Sequence, residues 1–493
     1  MVGVHDGRRS RSRFIGDGSD GPDADGSSHD APGEQPTAAG PRLYVVAARL
    51  PVDFHPVEGW RRAPGGLVSA LEPTLNETTA WFGETRPGQP CPPVRIGRCG
   101  LIELPVTAND HELAHDGFCN RTLWPALHGI GGNVEEQGAW WDAWRRRTAV
   151  AAEVVARHTA RDAVVWVHDY HYFGLATPLR RLRPDLRIGL SCHTPIVDEV
   201  LAELTNSREL ARGIVDFELI TVQTERDRDG LLRWLDRRRS PADGRPAVIA
   251  NPVGFDVERW IRRRTDDVVL SLAERHRAPA GVLIVGVDRI DYTKGLLHKL
   301  HAIEVLLASG RVAPDDVRFV QIAVPSRTSI PLYAYLGRQM KETAERINAD
   351  FPRSDGRPVV TMVDEQLAPR QVAGLMRAAD IALVTPARDG MNLVALEFAV
   401  LNGDRPCELI LGHGAGAAEY IGRWCRLVDG TDVNGIADAI GDSIDTGRDE
   451  ATADRARQRA DAASVLTVER WSRTFLDTVS RSRDVVSGVR AGM

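Results

Sequence analysis

Arg289 and Lys294 stand five residues apart in G-V-D-R-I-D-Y-T-K-G, residues 286–295, where an apolar run gives way to a turn and then to helical spacing. The ends of parallel strands and the N-termini of the helices that follow are where α/β sheets hold phosphates. Two fixed cations there suit a diphosphate whose charge grows as a bond to it breaks; the plainer reading is a pair of surface cations. A second group, T-P-A-R-D-G-M-N-L-V-A-L-E at 385–397, repeats the strand, glycine loop and helix. Backbone N–H groups of Gly390, Met391, Asn392 and Leu393 can face an anion. Glu397, about two turns beyond Asp389, can accept from ribose hydroxyls, whereas Asp389 could also be an ordinary helix cap. Asp169 in W-V-H-D-Y-H (166–171) and His193 both follow apolar runs, at positions that read as a site rather than a core. Gly65 and Gly66 precede a helix and permit close backbone approach to a ligand.

These residues need a frame. Short apolar runs at 43–48, 163–167, 188–191, 219–222 and 247–249 alternate with amphipathic stretches such as 140–158, the signature of a doubly wound α/β domain. The pattern restarts with runs at 282–287, 317–323, 359–363, 381–384 and 407–411, and with helical spacing at 294–309. N-P-V-G-F-D at 251–256 reads as a hinge between the halves. The expected division is a disordered tail over 1–40, rich in Gly, Asp, Ser and Pro, then one Rossmann-like domain over 41–252 and a second over 253–465. Residues 466–493 are expected to form a helix packing back on the first domain.

A chain of 493 residues suits two domains, and 43% hydrophobic with 26% charged residues is ordinary for an enzyme. A net charge of −6, with arginine runs interleaved with acids, argues against nucleic acid. Six cysteines without a C-x-x-C pair argue against zinc and disulfides. No secretory leader is read, and no run approaches the ~18 apolar residues of a membrane span, so a cytoplasmic protein is expected.

In residues 42–479 the chain resembles the trehalose-6-phosphate synthase family. R-L-P-V-D at 49–53, R-R-A-P-G-G-L-V-S-A-L-E-P at 61–73, F-C-N-R-T-L-W-P at 118–125 and Q-I-A-V-P-S-R at 321–327 join the motifs above and G-A-G-A-A-E at 414–419, in family order and spacing. The resemblance implies an α/β fold of GT-B type, two Rossmann-like domains facing a cleft, with 41–252 taking the acceptor and 253–465 the nucleotide sugar. It also implies a nucleotide-diphosphate hexose as co-substrate, no cofactor, no metal, and retention at the anomeric carbon without a protein nucleophile. Residue by residue, it implies that Arg289, Lys294 and the backbone at 391–393 hold the diphosphate and that Glu397 holds the ribose. Asp389 and His193 grip the sugar, Asp169 lies between donor and acceptor, and the Gly65–Gly66 loop closes over the phosphates. Arg49 and Arg327 face an acceptor phosphate, beside Trp124. The partners implied are a nucleotide sugar and a small polar acceptor, with no membrane; a homo-oligomer is admitted.

The departures cluster on the acceptor side. Glu84 stands where the family has Trp, His115 replaces a Tyr and is followed by Asp116, His193 is followed by T-P-I-V and then Asp198 and Glu199, and Leu396 replaces Lys. G-H-G at 412–414 stands where Ser-Glu-Phe is usual. A carboxylate facing a phosphate repels it by about 1 to 4 kcal/mol at contact range. The expected activity is therefore transfer of a glucose-like hexose to a sugar, sugar phosphate or amino-bearing acceptor such as an amino sugar or aminocyclitol, with Glu84, His115 and Asp116 favouring an amine. Alternatives are an authentic trehalose-6-phosphate synthase using glucose 6-phosphate and a pseudo-glycosyltransferase coupling cyclitols. A non-catalytic nucleotide-sugar sensor is disfavoured, because Arg289, Lys294, Asp389 and Glu397 are all kept.

Overall fold

Runs of Val, Ile and Leu too short for a helix become parallel strands buried on both faces. The structure, a computed structural model, describes residues 43–57, 59–63, 66–240, 244–277 and 281–490; the tail 1–40 and Gly65 lie outside them. The first half contributes β1 (Leu43–Arg49), β2 (Val52–His55), β3 (Gly59–Arg62), β4 (Thr79–Glu84), β5 (Arg95–Ile96), β6 (Cys99–Glu103), β7 (Val164–His168), β8 (Arg187–Ser191), β9 (Leu219–Val222) and β10 (Ala247–Ala250). Eight of these form one sheet in the order β10-β9-β8-β7-β1-β4-β6-β5. It is parallel except for the β5–β6 pair, and β2 and β3 make a separate antiparallel hairpin. The second half supplies β11 (Val282–Arg289), β12 (Val317–Val324), β13 (Val360–Val363), β14 (Ile381–Val384), β15 (Glu408–Gly412) and β16 (Arg426–Val428), all parallel, in the order β13-β12-β11-β14-β15-β16.

Both sheets start in the middle, wind to one edge, then return to wind to the other. The reversals fall between β1 and β7 in the first sheet and between β11 and β14 in the second. Such switch points open crevices at the strand C-termini, where α/β proteins bind ligands.

Helices cover the sheets through apolar faces. In the helix Leu296–Ala308, Leu296, Leu300, Ile303 and Leu307 are buried at the 3–4 spacing of one face. The helix Val468–Arg490 buries Trp471, Phe475 and Val479 against the first sheet. Phe475 stacks on Trp166 of β7 at 4.1 Å, and Gly189 of β8 makes room, since a Cβ there would stand 2.5 Å from the Phe475 ring. The segment leaving the first sheet lies beside the one that returns to it. Phe255 N donates to Leu466 O at 3.1 Å, Asn251 Nδ2 to Trp471 O at 3.1 Å, and Gly254 packs against the Thr467 carbonyl. Among the described residues no helix is long and apolar enough to cross a membrane.

Candidate active site

The residues singled out for chemistry converge at the two switch points. Arg49 ends β1, and Asp169 and His193 follow β7 and β8. On the facing wall Arg289 ends β11, Lys294 follows it, Arg327 follows β12, and the 385–397 segment follows β14. The walls touch. A Cβ on Gly390 would lie 1.8 Å from the His193 carbonyl oxygen, so only glycine allows this approach. Arg327 Nε donates to Asn120 Oδ1 at 2.9 Å and Ser329 Oγ to Asp116 Oδ2 at 2.9 Å. Gly66 abuts Leu393, whose Cδ1 is 3.2 Å from where a Cβ would stand.

Backbone strain marks the same place. Among the described residues four non-glycines have positive φ, and three of them, Asp169 (68°), Arg327 (48°) and Asn392 (65°), belong to this site. Such conformations cost about 1–3 kcal/mol each and persist where their surroundings hold them. Asp169, with ψ at 174°, is held by its own N–H to Ser191 O (2.8 Å) and by the His193 N–H to its Oδ1 (3.1 Å). Asn392 caps the helix Leu393–Leu401 by accepting from Ala395 N–H, so Asn392, not Asp389, is the cap. Asp389 instead accepts from Lys294 Nζ at 2.5 Å, from the Gly390 N–H and from Asn392 Nδ2. Burial opposes its charge, yet Lys294 holds its carboxyl below the usual range. His193 Nε2 lies 3.1 Å from His168 Nδ1, with the rings stacked. Burial lowers the pKa of both imidazoles, which favours their neutral forms. Glu397 is pushed up to about 7 by burial, against the pull of Arg263.

On the acceptor side Arg327 lies over Trp124, 4.0 Å from the ring centre, and its Nη1 donates to Asp291 Oδ2 at 2.6 Å. Burial works against its charge, and Tyr170 and Asp291 outweigh that. Arg49, Arg86 and Arg289 form no ion pair among the described residues. Arg49 feels the field of Arg86, Arg289 and Arg327, and burial and then Arg86 depress its pKa. Guanidinium groups that repel one another, with Asp53 offsetting part of the repulsion on Arg49, suit an anion.

Three expectations are corrected. Glu84 does not present a free carboxylate to an acceptor. It is 2% exposed, and its Oε1 accepts from Arg147 Nε and from Tyr172 OH at 2.9 Å, while Oε2 stands 3.5 Å from His111 Nδ1. Arg147, itself buried and lying over the Tyr172 ring, cancels the charge whose repulsion was expected. Asp116 is engaged by Ser329 from the opposite wall and does not stand free for an amine. Asp198 is buried and paired with Arg233 and Arg237. His115 keeps its place near the cations but lies within a stack of imidazoles, 4.8 Å from His111 and 5.4 Å from His171. Gly65 lies outside the described residues. His111, His115 and Asp116 offer ligand atoms within 4.8 Å of one another, but the two rings stack at 15°. Imidazole lone pairs lie in the ring plane, so stacked rings cannot both aim at one ion.

Residues that the motif reading did not assign also build the site. Asn120 and Asp291 fix Arg327, and Tyr170 OH shares the Asn120 oxygen at 3.2 Å. Asn120 and Asp291 lie inside segments singled out above; their signal was a polar residue at a strand end or a buried helix face. The Glu84–Arg147 pair spans 63 positions and leaves no local signal.

Residues 41–481 match the family model for glycosyltransferase family 20. The chain belongs to glycosyltransferase family 20. The trehalose-6-phosphate synthase of Mycobacterium marinum (strain ATCC BAA-535 / M) is 33% identical over 481 residues, covering 90% of this chain and 94% of that protein. The α,α-trehalose-phosphate synthase (UDP-forming) of Burkholderia xenovorans, solved in complex with glucose-6-phosphate, superposes with a TM-score of 0.80 at 28% identity. That match covers 89% of this chain and all of the other. The E. coli protein bound with UDP-2-fluoro glucose gives a TM-score of 0.79 at 26% identity over 89% of this chain and 98% of its own. This family 20 chain is a retaining glycosyltransferase with the GT-B fold, two Rossmann-like domains. The comparisons favour the alternative of an authentic synthase over an aminated acceptor, and the pairing of Glu84 removes the electrostatic ground for the amine.

Proposed function

We propose that this chain is a trehalose-6-phosphate synthase, moving glucose from a nucleoside-diphosphate glucose to glucose 6-phosphate with retention. The observation that carries the reading is the cationic acceptor wall. Arg49, Arg86 and Arg289 have no ion-pair partner among the described residues, and Arg327 is locked beside them. A dianionic phosphate relieves that repulsion through charge-assisted hydrogen bonds; a protonated amine adds to it. The Burkholderia relative solved with glucose-6-phosphate supports the same acceptor.

In this reading Arg289, Lys294 and the N–H groups at 391–393 hold the donor diphosphate, and Glu397 accepts from the ribose. Asp389 and His193 hold the hexose, and the Gly66 turn lies over the phosphates. Arg49 and Arg327 hold the acceptor phosphate, Trp124 backs Arg327, and Asp169 sits between the substrates. The bond from the anomeric carbon to the diphosphate oxygen breaks while the acceptor hydroxyl attacks from the same face. The acceptor proton passes to the departing diphosphate oxygen. Arg289 and Lys294 stabilise the charge that builds on that oxygen, and no protein nucleophile is required.

The test incubates the protein with nucleoside-diphosphate glucose and glucose 6-phosphate and identifies the product by mass spectrometry and NMR. The reading requires an α,α-linked disaccharide monophosphate. Nucleotide release without that product, or a β-linked product, contradicts it.

A further inference from the structure

We propose that His115, stacked between His111 and His171, takes up a proton as the phosphorylated acceptor binds and recognises the phosphate as an imidazolium. The inference rests on the proposed acceptor and concerns a position where this chain carries its own residue type. The geometry is unusual for buried imidazoles. The helix His111–Leu123 is wound as a π-helix, and the three rings lie nearly parallel, at 15° and 16° to their neighbours. The Nδ1 atoms of His115 and His171 are buried without a hydrogen-bond partner. Buried polar atoms in native proteins are nearly always satisfied, and exceptions concentrate where a ligand or proton completes the set.

The groups around the stack come from every neighbouring element. β1 brings Arg49, β4 brings Glu84, and the helix Gly138–His158 brings Arg147. The segment after β7 brings Asp169, Tyr170 and Tyr172, and the loop after β12 brings Arg327. The π-helix and the residue before it add Asp110, Glu112, Asp116 and Cys119. Tyr170 lies on His171 at 4.1 Å, and Asp110 is turned to Arg146 and Asp116 to Ser329. Glu84 pairs with Arg147 and Arg327 with Asp291, yet Arg147 and, more weakly, Arg49 still act on His115, and Arg147, Arg327 and Arg49 act on His171. Burial, the neighbouring imidazoles and these guanidinium groups favour neutral rings.

A phosphate dianion bound by Arg49 and Arg327 reverses that balance. It adds two negative charges beside rings that feel the field of these guanidinium groups, and an opposite charge nearby favours the protonated ring. The proton comes from solvent to a ring nitrogen of His115, and no bond in the acceptor changes. Glu84, 3.5 Å from His111 Nδ1, lends the far end of the stack a compensating carboxylate. A neutral tyrosine can donate to a phosphate at any ordinary pH. A histidine in this setting makes recognition depend on proton supply, and it discriminates a dianionic acceptor from an uncharged sugar.

The test is calorimetric titration of glucose 6-phosphate into the full-length protein at pH 7.5 in buffers of widely different ionisation enthalpy. The phosphate's own second proton dissociates near pH 6 and contributes little there. The slope of observed against buffer enthalpy counts protons, and uptake of about half to one proton per acceptor is expected. His115→Tyr should bind the acceptor with uptake reduced at least several-fold. Should that variant fail to fold, ¹⁵N shifts of histidine-labelled native protein, with the His115 resonance assigned by its loss in His115→Gln, supply the second readout. They should show one ring converting to imidazolium on acceptor addition. Binding without proton uptake in the native protein overturns the inference and leaves the proposed function standing. Unchanged uptake in a folded His115→Tyr protein overturns the assignment to His115. Absence of glucose 6-phosphate binding overturns both.

Discussion

Lys294 donates to Asp389 at 2.5 Å, so the donor diphosphate proposed for this site would share the lysine with a carboxylate, whereas Arg289 stands without an ion pair among the described residues. Arg289→Ala should therefore lower turnover by a factor of about 10² or more, because it removes a cation from the departing diphosphate; steady-state nucleotide release measures it. Glu84 acts on the fold. Glu84→Gln leaves Arg147 buried with a weakened partner, and breaking such pairs costs about 3–5 kcal/mol. Urea unfolding should register a loss of that order, with acceptor preference unchanged; a switch of preference at constant stability would restore a substrate-facing role. If Glu397 holds the ribose as proposed, donor binding is sensitive to pH. Its carboxyl is pushed up to about 7 by burial, so it is largely protonated below that pH and a carboxylate above it. Ribose hydroxyls need the carboxylate as acceptor. Donor KM should fall as pH rises from 6 to 8, and Glu397→Gln should flatten the profile.

At the scale of elements, the closest approach between the two walls depends on a single glycine loop. Gly390→Ala would place a methyl 1.8 Å from the His193 carbonyl oxygen, both of them backbone-held. This substitution should reduce kcat/KM at least about 100-fold, since an ångström of misplacement near reacting groups has that effect, while circular dichroism stays native. Near-normal activity would mean that this contact opens during turnover. The strands that deliver the site residues were legible because β1, β7, β8, β11 and β14 are apolar-rich runs leading into polar motif residues. β4 and β6 escaped notice. T-A-W-F-G-E and C-G-L-I-E mix glycine and acid with few β-branched residues, and their pairing with β1 supplies what local propensity lacks. The missing β4 is why Glu84 was misread, since without the strand its carboxylate had no reason to point into the core. The π-helix His111–Leu123 was equally hidden, because its apolar residues follow no helical period and tertiary packing alone sets its winding.

Across the whole molecule, two segments join the halves side by side, through Phe255 N–H to Leu466 O and Asn251 to Trp471 O, with Gly254 against Thr467. Contacts between the walls include polar pairs as well as the Gly66–Leu393 approach and Arg327 over Trp124. Arg327–Asn120 and Ser329–Asp116 lie on the acceptor side; Tyr420 OH to Gln223 O at 2.6 Å and Glu225 N–H to Glu419 lie farther along. Hydrogen bonds of this sort can be exchanged for contacts to substrate. The site's charge is uneven against a chain of net −6, with Arg49, Arg86 and Arg289 gathered without ion pairs among the described residues on the side proposed to take the phosphates. That asymmetry makes a phosphorylated acceptor the central claim. The most direct measurement compares kcat/KM for glucose 6-phosphate, glucose and glucosamine with one nucleoside-diphosphate glucose donor. Two charge-assisted hydrogen bonds lost from the phosphate are worth about 3–6 kcal/mol, so glucose 6-phosphate should exceed both other acceptors by at least a hundredfold, and Arg327→Ala should erase most of that margin. Equal rates for glucose and glucose 6-phosphate, or a higher rate for glucosamine, would contradict the account.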